Sequence, residues 1–342
     1  LIFWYLQNKR DLPWRKTKNP YYIWLSEIIL QQTRVNQGLD YYYKFIDNFP
    51  TIYDLANADE ETVLKLWQGL GYYTRARNLH HSAKYIVNEL NGNFPITYTT
   101  LLNLKGVGDY TASAIASLCN NEPVAVVDGN VYRTLARYFG IKMAINSTEG
   151  IKKFKQLAQR LLDYKQPGTF NQAIMEFGAV QCKPQNPDCK NCPLNANCYA
   201  LLKNKIDMLP FKEKKLKVKK RHFNYLVFNN SYNQTQINLR KNKGIWQGLY
   251  EFPLIETPSE ISFNELIKLT EFNTIVKYNK ATITLFNKLP IVHKLSHQHL
   301  YTKFWIINTP IKLKKFISWN DFEKYPVPIL IHNFVENFKS EA

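Results

Sequence analysis

The sequence has 342 residues, a hydrophobic content of 45% and a net charge of +18, because Lys and Arg total 45 while Asp and Glu total 27. Length and composition predict a folded, soluble chain with two domains and exclude a low-complexity protein. No apolar run approaches the roughly 18 residues of a membrane span, and the opening apolar stretch is too short for a signal-peptide core. The charge favours a polyanionic partner, either nucleic acid or an anionic membrane surface, although a solvated basic surface has the same composition.

The N-terminal part of the chain, residues 1–202, is predicted to be helical. From about Pro20 onward, amphipathic segments are separated by the short breaks NFP, NGNFP and KGVG. These segments repeat their apolar residues with the helical period of 3.6, and the breaks contain the residues that end helices. The pattern predicts an all-α domain over this range.

Glu27 lies in the first of these segments, NPYYIWLSEIILQQTRV. On a helix its neighbours at three and four positions are Ile23, Trp24, Leu30 and Gln31. Burial among such residues disfavours the charged form, so we expect a raised pKa and a carboxyl that is protonated part of the time. A purely structural glutamate would occupy the solvent side of the helix, and the sequence therefore favours a functional role.

The segment LLNLKGVGDYTASAIASLC, residues 101–119, predicts two helices joined by the turn Gly106-Val107-Gly108. Two glycines this close let the chain turn sharply and expose N–H groups at the start of the second helix, which is an arrangement that binds phosphate. A plain connector between helices explains the same pattern. Cys119, at the end of the segment, is predicted to be an inert core residue.

Asp128 follows the run Val124–Val127, which is predicted to be buried, and it stands where a new helix begins in PVAVVDGNVYRTLARYF. Asp is a preferred N-cap, and capping alone explains its place. Because hydrogen bonds and the helix dipole favour the charged form there, we expect a lowered pKa for Asp128. A protonated Glu27 with an ionised Asp128 is the acid and stabiliser pair of glycosidic bond cleavage.

Four of the five cysteines lie within residues 182–198, CKPQNPDCKNCPLNANC, with the spacing C-x6-C-x2-C-x5-C. A disulfide framework is typical of small secreted domains rather than of a chain this long. Zinc more often uses two C-x2-C pairs, and the spacing matches neither common ferredoxin pattern. From the residues alone, zinc and an iron–sulfur cluster both remain open. The four cysteines are Cys182, Cys189, Cys192 and Cys198.

Residues 203–221, KNKIDMLPFKEKKLKVKKR, are predicted to form an exposed basic linker, which either lies along phosphates or is a solvated tether. In residues 222–342 the hydrophobic period changes to two. The runs FNYLVF, QINLR, TIVKYN, ATITLF and LYTKFWII predict strands, and SFNELIKL and PILIHNFVENF predict helices. The C-terminal part is therefore predicted to be a separate α+β domain.

Taken together, LKGVGDYTASA, VVDGNV and the cysteine loop resemble the helix–hairpin–helix DNA glycosylases related to endonuclease III. The segments LPWR, WLSEIILQQTRV, LWQGLGYYTRARNLH and FNQAIMEFGA narrow the resemblance to the MutY-type adenine DNA glycosylases. GIWQGLYEFP and HKLSHQHL are similar to the added recognition domain of that family, which is related to Nudix hydrolases. The resemblance implies a multidomain fold, with an all-α helix–hairpin–helix domain that carries an iron–sulfur loop and a C-terminal α+β Nudix-like domain.

The resemblance also implies a function. A monomeric, cytoplasmic enzyme (nucleoid-associated, if prokaryotic) would bind double-stranded DNA with an 8-oxoguanine:adenine or guanine:adenine mispair, flip the adenine out and hydrolyse its N-glycosidic bond in base excision repair. Glu27 would protonate the base, and Asp128 would stabilise the cationic sugar, with Tyr110 and Asn130 orienting it. Relatives that also cleave the strand carry lysine at the position of Tyr110. Tyrosine cannot form a Schiff base, so a monofunctional glycosylase is expected.

The family's motifs assign further residues. The adenine pocket would contain Trp14, Arg15 and Gln172. Contacts to 8-oxoguanine and wedging of the duplex would come from Gln32, Thr33, Leu70, Tyr72 and Ser296. Gly106 and Gly108 would bind DNA phosphate, and Cys182, Cys189, Cys192 and Cys198 would ligate a structural [4Fe–4S] cluster.

Three positions depart from the family's pattern. Lys105 stands where the hairpin usually has proline, Leu295 replaces the aromatic residue of the FSH turn, and Gln247 replaces a glycine. The C-terminal part also lacks the R-E-x-x-E-E run with which Nudix hydrolases hold metal, so it should bind rather than hydrolyse. Two alternatives stay open: an endonuclease III-like enzyme for oxidised pyrimidines, against which Tyr110 and the C-terminal domain argue, and a non-enzymatic DNA-binding protein, against which Glu27 and Asp128 argue.

Overall fold

The computed structural model describes residues 1–213, 218–276, 281–310 and 316–341. The chain forms two compact units, one of Leu1–Ala58 with Arg77–Lys215 and the other of Asp59–Ala76 with Leu216–Ala342. The first unit is helical and the second combines strands with helices, which confirms the predicted fold class. Within the described ranges no helix has both the length and the apolar character that a bilayer crossing requires.

The helices up to residue 202 are short to medium in length and are joined by brief turns. In chain order they are α1 (Ile2–Asn8), α2 (Pro20–Ile29), α3 (Val35–Asn48), α4 (Ile52–Asn57), α5 (Glu60–Leu66), α6 (Thr74–Glu89), α7 (Tyr98–Leu101), α8 (Asp109–Asn120), α9 (Gly129–Phe139), α10 (Thr148–Leu161), α11 (Pro167–Glu176) and α12 (Tyr199–Leu202). Pro13–Arg15 and Asn195–Asn197 form 3-10 turns, and Phe177–Gln181 continue α11 as a π-helical turn.

The start of α2 follows from its first residues. The side chain of Asn19 accepts a hydrogen bond from the Tyr21 N–H, and Pro20 occupies the first helical position, where its missing N–H is no loss. Ile23, Trp24 and Leu25 are buried along the helix. Their burial fixes α2 in the helical unit and determines which way Glu27 faces.

A hydrophobic cluster of the helical unit joins α9, α10 and α11 to the extended run that precedes α9. Val127, Leu135, Phe154 and Ile174 are among its buried members. This packing places the start of α9 against α11, so the residue at the N-cap of α9 is held by the core rather than by a mobile loop.

Beyond residue 218 the second unit contains strands and further helices. They are β1 (Lys219–Asn230), β2 (Gln234–Thr235), β3 (Asn238–Leu239), β4 (Tyr250–Glu251), β5 (Leu254–Thr257), α13 (Phe263–Leu266), α14 (Thr270–Ile275), β6 (Thr282–Leu285), β7 (Ile291–Lys294), β8 (Gln298–Thr309), β9 (Ile317–Ser318) and α15 (Ile329–Glu341). A 3-10 turn covers Trp319–Lys324.

The main sheet has the order β5-β1-β8-β6, with β7 also paired to β8. β1 and β8 run parallel in register from Lys219 opposite Gln298 to Asn230 opposite Thr309. The other pairs of this sheet are antiparallel. A long parallel pair needs cover on both faces, because both faces of its central strands are apolar.

The two faces of the sheet are covered by different helices. Leu226 and Trp305 belong to a cluster that also contains residues of α13 and α14. On the other face Phe304 stacks on Phe334 of α15, with ring centroids 3.9 Å apart. Adjacent residues of one strand thus serve opposite faces, as the predicted period of two requires.

Several predicted elements differ in detail. Residues 59–76 group with the second unit, whereas the sequence predicted one domain over 1–202, and β1 begins inside the predicted linker 203–221. The prediction of a strand in TIVKYN was wrong for its first two residues, which end α14, and residues 277–280 lie outside the described ranges. Val124, predicted to be buried, is only half-buried.

Candidate active site

A pocket of about 490 Å³ lies in the helical unit where α2, the start of α8 and the start of α9 meet. It is lined by Glu27 of α2, by Gln31 just after that helix, by Asp109–Thr111 of α8, and by Asp128 and Gly129 at the start of α9. Residues separated by about one hundred positions are therefore brought together. Of the four residues expected to be catalytic, Glu27, Tyr110 and Asp128 line this pocket, whereas Asn130 is not among its described lining residues.

The environment of Glu27 agrees with its sequence pattern. Burial raises the pKa of its carboxyl to about 7, and the charge of Asp128 acts in the same direction, while the nearby Tyr110 hydroxyl and the charge of Arg15 oppose the shift. The predicted direction is confirmed. Near neutral pH the group can therefore both donate and accept a proton.

The turn before α8 needs its first glycine. Gly106 has a φ of 84°, in the left-handed region, and a Cβ there would lie 2.8 Å from the Cβ of Asn78. Gly108 is the N-cap of α8 with extended backbone angles, φ −103° and ψ −176°. The turn thus presents the unpaired N–H groups of the first turn of α8 at the edge of the pocket.

Tyr110 follows directly in α8. Burial and the nearby carboxyls of Glu27 and Asp128 raise its pKa well above 10, so the phenol stays protonated. Its hydroxyl donates a hydrogen bond to Met175 Sδ at 3.8 Å, and it is close enough to Glu27 to lower the pKa of that carboxyl. The sequence expected Tyr110 to orient Asp128, whereas the hydrogen bond of its hydroxyl goes to Met175.

Asp128 is the N-cap of α9, as predicted. Its Oδ1 accepts hydrogen bonds from the Asn130 and Val131 N–H groups at 2.9 and 2.8 Å, and its Oδ2 accepts one from Asn130 Nδ2 at 2.7 Å. Asn130 therefore orients this carboxylate, in agreement with its expected position.

The pKa of Asp128 moves opposite to the sequence prediction. Burial raises it above its ordinary value, and this outweighs the hydrogen bonds from Val131 and Asn130 and the charge of Arg133, which lower it. The prediction of a lowered pKa was wrong because it counted the cap and omitted the desolvation of a carboxyl enclosed by the fold. Burial therefore raises the pKa of both carboxyls in the pocket, and the charge of Asp128 raises that of Glu27 further.

Side chains hold the extended run that leads to Asp128. Asn171 accepts a hydrogen bond from the Val126 N–H at 3.1 Å and donates one to the Val124 carbonyl at 2.9 Å. Gln159 accepts one from the Ala125 N–H at 2.9 Å. These contacts take the place of a neighbouring strand and satisfy backbone groups that would otherwise be lost on burial.

The three residues expected in an adenine pocket lie near one another in the helical unit, but none is among the described residues that line the 490 Å³ pocket. Trp14 is buried and meets Tyr42 edge-on, with ring centroids 5.2 Å apart. The side chain of Gln172 accepts a hydrogen bond from the Tyr5 hydroxyl. Arg15 is engaged by an acidic partner and is close enough to Glu27 to influence its charge.

That partner, Glu176, is a residue that the sequence analysis missed. Its side chain is fully buried, and it accepts hydrogen bonds from the Arg10 Nη2 and Arg15 Nη2 atoms, both at 2.7 Å. Burial alone would raise the pKa of Glu176, but these hydrogen bonds outweigh it and lower the pKa to about 2. The sequence contains the same signal for Glu176 as for Glu27, namely an acidic residue within an apolar helical segment. For Glu176 that segment is FNQAIMEFGA.

In the second unit, Tyr72 and Ser296 are in contact, as the hydroxyl of Tyr72 is hydrogen-bonded to Ser296 Oγ. Tyr72 has a φ of 48° and is 47% exposed, and the Arg75 guanidinium lies 5.5 Å from its ring centroid. Leu70 is buried. Two residues that were expected to contact 8-oxoguanine or wedge the duplex are therefore hydrogen-bonded to each other, and the tyrosine of the pair is partly exposed.

Gln32 and Thr33 follow α2 in the helical unit. Gln32 has a φ of 56° and lines the pocket, and Thr33 Oγ1 lies 3.4 Å from the carbonyl of Gln31. The left-handed backbone at Gln32 turns the chain sharply at the pocket's edge.

The four clustered cysteines line one common pocket between α9 and residues 177–206. None of the four is paired in a disulfide in this structure. Within the described ranges, no group of three or more His, Cys, Asp or Glu converges as a single metal ion would require. Arg137 Nη1 lies 3.5 Å from Cys182 Sγ and donates to the Lys183 carbonyl at 2.6 Å, which places a positive charge beside the sulfurs.

A second arginine of α9 connects the cysteine loop to the carboxyl pocket. Arg133 Nε donates to the Cys182 carbonyl at 2.7 Å, and its Nη2 donates to Asn130 Oδ1 at 2.7 Å. Asn130 in turn donates to Asp128. One chain of hydrogen bonds therefore runs from the first cysteine to the N-cap carboxylate.

Comparisons with known proteins agree with this architecture. Residues 25–160 match the HhH-GPD superfamily of base excision DNA repair proteins, and residues 224–337 match a NUDIX domain. The chain is 30% identical to the structure of a thermostable thymine-DNA glycosylase, with a TM-score of 0.55 over 59% of this chain and 93% of that one. A trapped endonuclease III–DNA covalent intermediate, 20% identical with a TM-score of 0.52 over 59% of this chain and 92% of that one, shares the fold. Fold and site thus define a helix–hairpin–helix glycosylase with a Nudix-like domain.

Curated relatives narrow the class of glycosylase. The chain is 37% identical to the adenine DNA glycosylase of Buchnera aphidicola subsp. Baizongia pistaciae, over 92% of this chain and 86% of the relative. It is 35% identical to that of Arabidopsis thaliana over 93% of this chain, which spans 56% of the relative, and 46% identical to the human one over 58% of this chain and 38% of the relative. The chain belongs to the MutY-type family of adenine DNA glycosylases.

Glu176 provides a test of the buried ion pairs. Replacing it with Gln leaves two arginines without their charged partner, and we expect a loss of about 3 kcal/mol in the free energy of unfolding at neutral pH. The pKa of about 2 in the folded chain lies below the ordinary 4.5. The stabilisation is therefore full above about pH 4.5 and is lost as the pH falls through about 2. Urea unfolding of wild type and Glu176→Gln between pH 6 and 2.5 measures it.

The matched control is Glu149→Gln in the exposed first turn of α10, expected to change stability by less than about 1 kcal/mol. A difference between wild type and Glu176→Gln that stays constant across this pH range would contradict the assigned ion pairs.

Proposed function

We propose that this chain removes adenine mispaired with 8-oxoguanine or guanine from double-stranded DNA and leaves an abasic site, by hydrolysis of the N-glycosidic bond. The observation that carries the proposal is the pocket in which Glu27, with a pKa of about 7, faces the N-cap carboxylate of Asp128. Cleavage of a base from its sugar requires a group that can donate a proton and, beside it, a carboxylate that is held in place by hydrogen bonds.

The first step is exposure of the bond. The adenine is unreachable while it is stacked in the duplex, so the nucleotide must be flipped out before chemistry begins. Glu27 then protonates the adenine, at N7, and so turns the base into a better leaving group. The Tyr110 hydroxyl, kept protonated by its raised pKa, lies beside the Glu27 carboxyl and lowers the pKa of that group.

The second step generates positive charge on the sugar. Asp128 stabilises this oxocarbenium-like state, or captures it as a transient covalent adduct, and the Asn130 side chain fixes the direction of its carboxylate. Water then adds to the sugar carbon, and Glu27, which has lost its proton to the base, accepts one from that water. The enzyme returns to its starting protonation.

Strand cleavage is not part of this chemistry. It needs an amine that attacks the sugar and forms a Schiff base. The position beside the carboxyls carries Tyr110, whose neutral phenol cannot do so. The chain is therefore proposed to be monofunctional.

The adenine is proposed to be bound by Trp14, Arg15 and Gln172. The ion pair with Glu176 fixes the guanidinium of Arg15, and the hydrogen bond from Tyr5 fixes the amide of Gln172. An arginine and an amide that are held in this way offer oriented hydrogen-bond partners for the edges of a base.

The opposing 8-oxoguanine is proposed to meet Ser296 and Tyr72 of the second unit, and Gln32, Thr33 and Leu70 are proposed to support or wedge the duplex. The contact between Tyr72 and Ser296 supports a joint role. An exposed aromatic ring can replace stacking that is lost on distortion, at a cost of a few kcal/mol for the unstacked step. Leu295 supplies an aliphatic contact where the family has an aromatic one.

DNA phosphate is proposed to bind at the turn that contains Gly106 and Gly108, where the N–H groups at the start of α8 are available. Lys105 adds positive charge beside this turn. Phosphate contacts also make binding fall with salt, by about 0.9 log units per contact for each tenfold rise in concentration. The chain is proposed to act on DNA as a monomer, in the cytoplasm.

The four clustered cysteines are proposed to ligate a [4Fe–4S] cluster. Cysteine thiolates are the ligands such clusters use, all four are free, and they surround one pocket beside the guanidinium of Arg137, which suits the negative charge of a thiolate-bound cluster. A cluster held by these four thiolates would order residues 182–198. Arg133 then holds this ordered loop to Asn130, and so to Asp128.

A single-turnover assay tests the proposed function. One adenine-containing duplex is prepared with 8-oxoguanine, guanine or thymine opposite the adenine, and each reaction is split and run with and without alkali. We expect breaks only after alkali, formed fastest opposite 8-oxoguanine. Breaks without alkali, or activity on oxidised pyrimidines in place of adenine, would assign the chain to endonuclease III chemistry instead.

Ser296→Ala tests the contact to the oxidised base. Loss of one hydrogen bond to the base is worth about 1 kcal/mol, so we expect the rate ratio between 8-oxoguanine:adenine and guanine:adenine duplexes to fall by about fivefold, with a smaller change on guanine:adenine. Ser259→Ala, on a loop of the same unit, is the control and should leave the ratio unchanged. An equal loss on both duplexes would count against the contact.

A further inference from the structure

Lys155 of α10 makes an unusually complete set of contacts for a lysine. Its Nζ lies 2.9 Å from both carboxylate oxygens of Asp109, 2.9 Å from Ser113 Oγ and 2.7 Å from the carbonyl oxygen of Ala125. An ammonium has three N–H donors. One is shared by the carboxylate, one goes to the hydroxyl and one to the carbonyl, so every donor has an acceptor.

These acceptors belong to two different segments, each of which also contains residues that line the pocket or leads to one that does. Asp109 and Ser113 lie one turn apart on α8, and Asp109 immediately precedes Tyr110 and itself lines the pocket. Ala125 lies on the extended run, three residues before Asp128. The ammonium therefore joins the helix that carries Tyr110 to the run that ends in Asp128.

The start of α8 is held further through Tyr98 of α7. Its hydroxyl donates to Asp109 Oδ1 at 2.8 Å, and Lys155 Nζ lies 5.8 Å from its ring centroid. The side chain of Lys155 is 29% exposed and that of Asp109 is 52% exposed. An ion pair exposed to this degree contributes little to stability by itself, so its main effect is on geometry.

We propose that Lys155 is a positioning residue for the glycosylase reaction, which sets the distance between the α8 side of the pocket, with Tyr110, and the α9 side, with Asp128. The inference rests on the proposed function, because it assigns consequences to the roles of Tyr110 and Asp128. Lys155 touches neither substrate nor the reacting atoms in this role. Its effect passes through the Asp109 carboxylate and the Ala125 carbonyl.

The competing explanation is that Lys155 binds a DNA phosphate. A lost phosphate contact weakens binding to all duplexes and lowers the salt dependence of binding by about one contact. A lost positioning contact lowers the rate of the bound complex instead, because a displacement of about 1 Å at reacting groups can reduce a rate by about 100-fold. Phosphate binding therefore predicts a loss of affinity, whereas positioning predicts a loss of the rate of the bound complex.

The experiment compares Lys155→Met, Lys155→Arg and Lys153→Met with wild type. Lys153 is exposed on the same helix, and its replacement removes the same charge without the contacts to Asp109 and Ala125. For each protein we would measure the single-turnover rate of adenine release at saturating enzyme, the affinity for the abasic-site product duplex at several salt concentrations, and the melting temperature.

We expect Lys155→Met to lower the saturating rate by about 10- to 100-fold, while affinity and its salt dependence stay within about threefold of wild type, as expected when no phosphate contact is lost. Lys155→Arg, which keeps the charge and several donors, should recover most of the rate. Lys153→Met should keep the wild-type rate.

Asp109→Asn covers the case in which Lys155→Met does not fold. Asparagine keeps the size of the side chain and a hydrogen-bond acceptor but removes the charge. This variant should also lower the saturating rate without changing the affinity, and its loss of rate should be smaller than that of Lys155→Met. A wild-type rate in Lys155→Met, or a loss confined to affinity with a reduced salt dependence, would overturn the inference. If wild type and Lys153→Met both release no adenine, the proposed function fails instead, and the two failures are thus distinguished.

Discussion

The enclosure of two carboxyls in one pocket is the constraint on which the rest of the site depends. Water stabilises a carboxylate, and its removal raises the pKa of both Glu27 and Asp128. Asp128 has three hydrogen bonds from the start of α9 to hold a charge, whereas for Glu27 burial outweighs the influence of Tyr110 and Arg15, which lower its pKa. This unequal support favours the proton on Glu27 and the charge on Asp128.

The surrounding structure must hold the two carboxyls rigidly, because the pKa of each depends on its distance from the other. In the helical unit this rigidity comes from side chains that form hydrogen bonds with backbone groups. Asn171 and Gln159 satisfy the extended run before Asp128, and Arg133 ties Asn130 to the cysteine loop. The same unit keeps Glu176 ionised by pairing it with arginines. Two buried glutamates therefore have pKa values shifted in opposite directions, lowered for Glu176 and raised for Glu27, because their partners differ.

The features of the site that depend on neighbouring residues could be predicted from the sequence. Glu27 stands on an apolar helical face, and Asp128 stands at a helix start, so burial of the first and capping by the second could be deduced from a few neighbouring residues. The pKa direction of Asp128 could not, because its desolvation comes from segments far along the chain. Glu176 pairs with arginines 161 and 166 residues away, a separation that no local period encodes. The run TIVKYN has the β-branched composition of a strand, yet its first residues end α14, since short runs follow their packing rather than their propensity.

The dependence of the single-turnover rate on pH tests the central claim most directly. If Glu27 donates the proton, its acid form is needed, and the rate of adenine release at saturating enzyme should fall about tenfold per pH unit above about pH 7, the pKa of this carboxyl. Glu27→Gln, which has no proton to give, should be far slower and should lack this titration. A Glu27→Gln protein that keeps the wild-type rate, or the same fall above pH 7, would contradict the account.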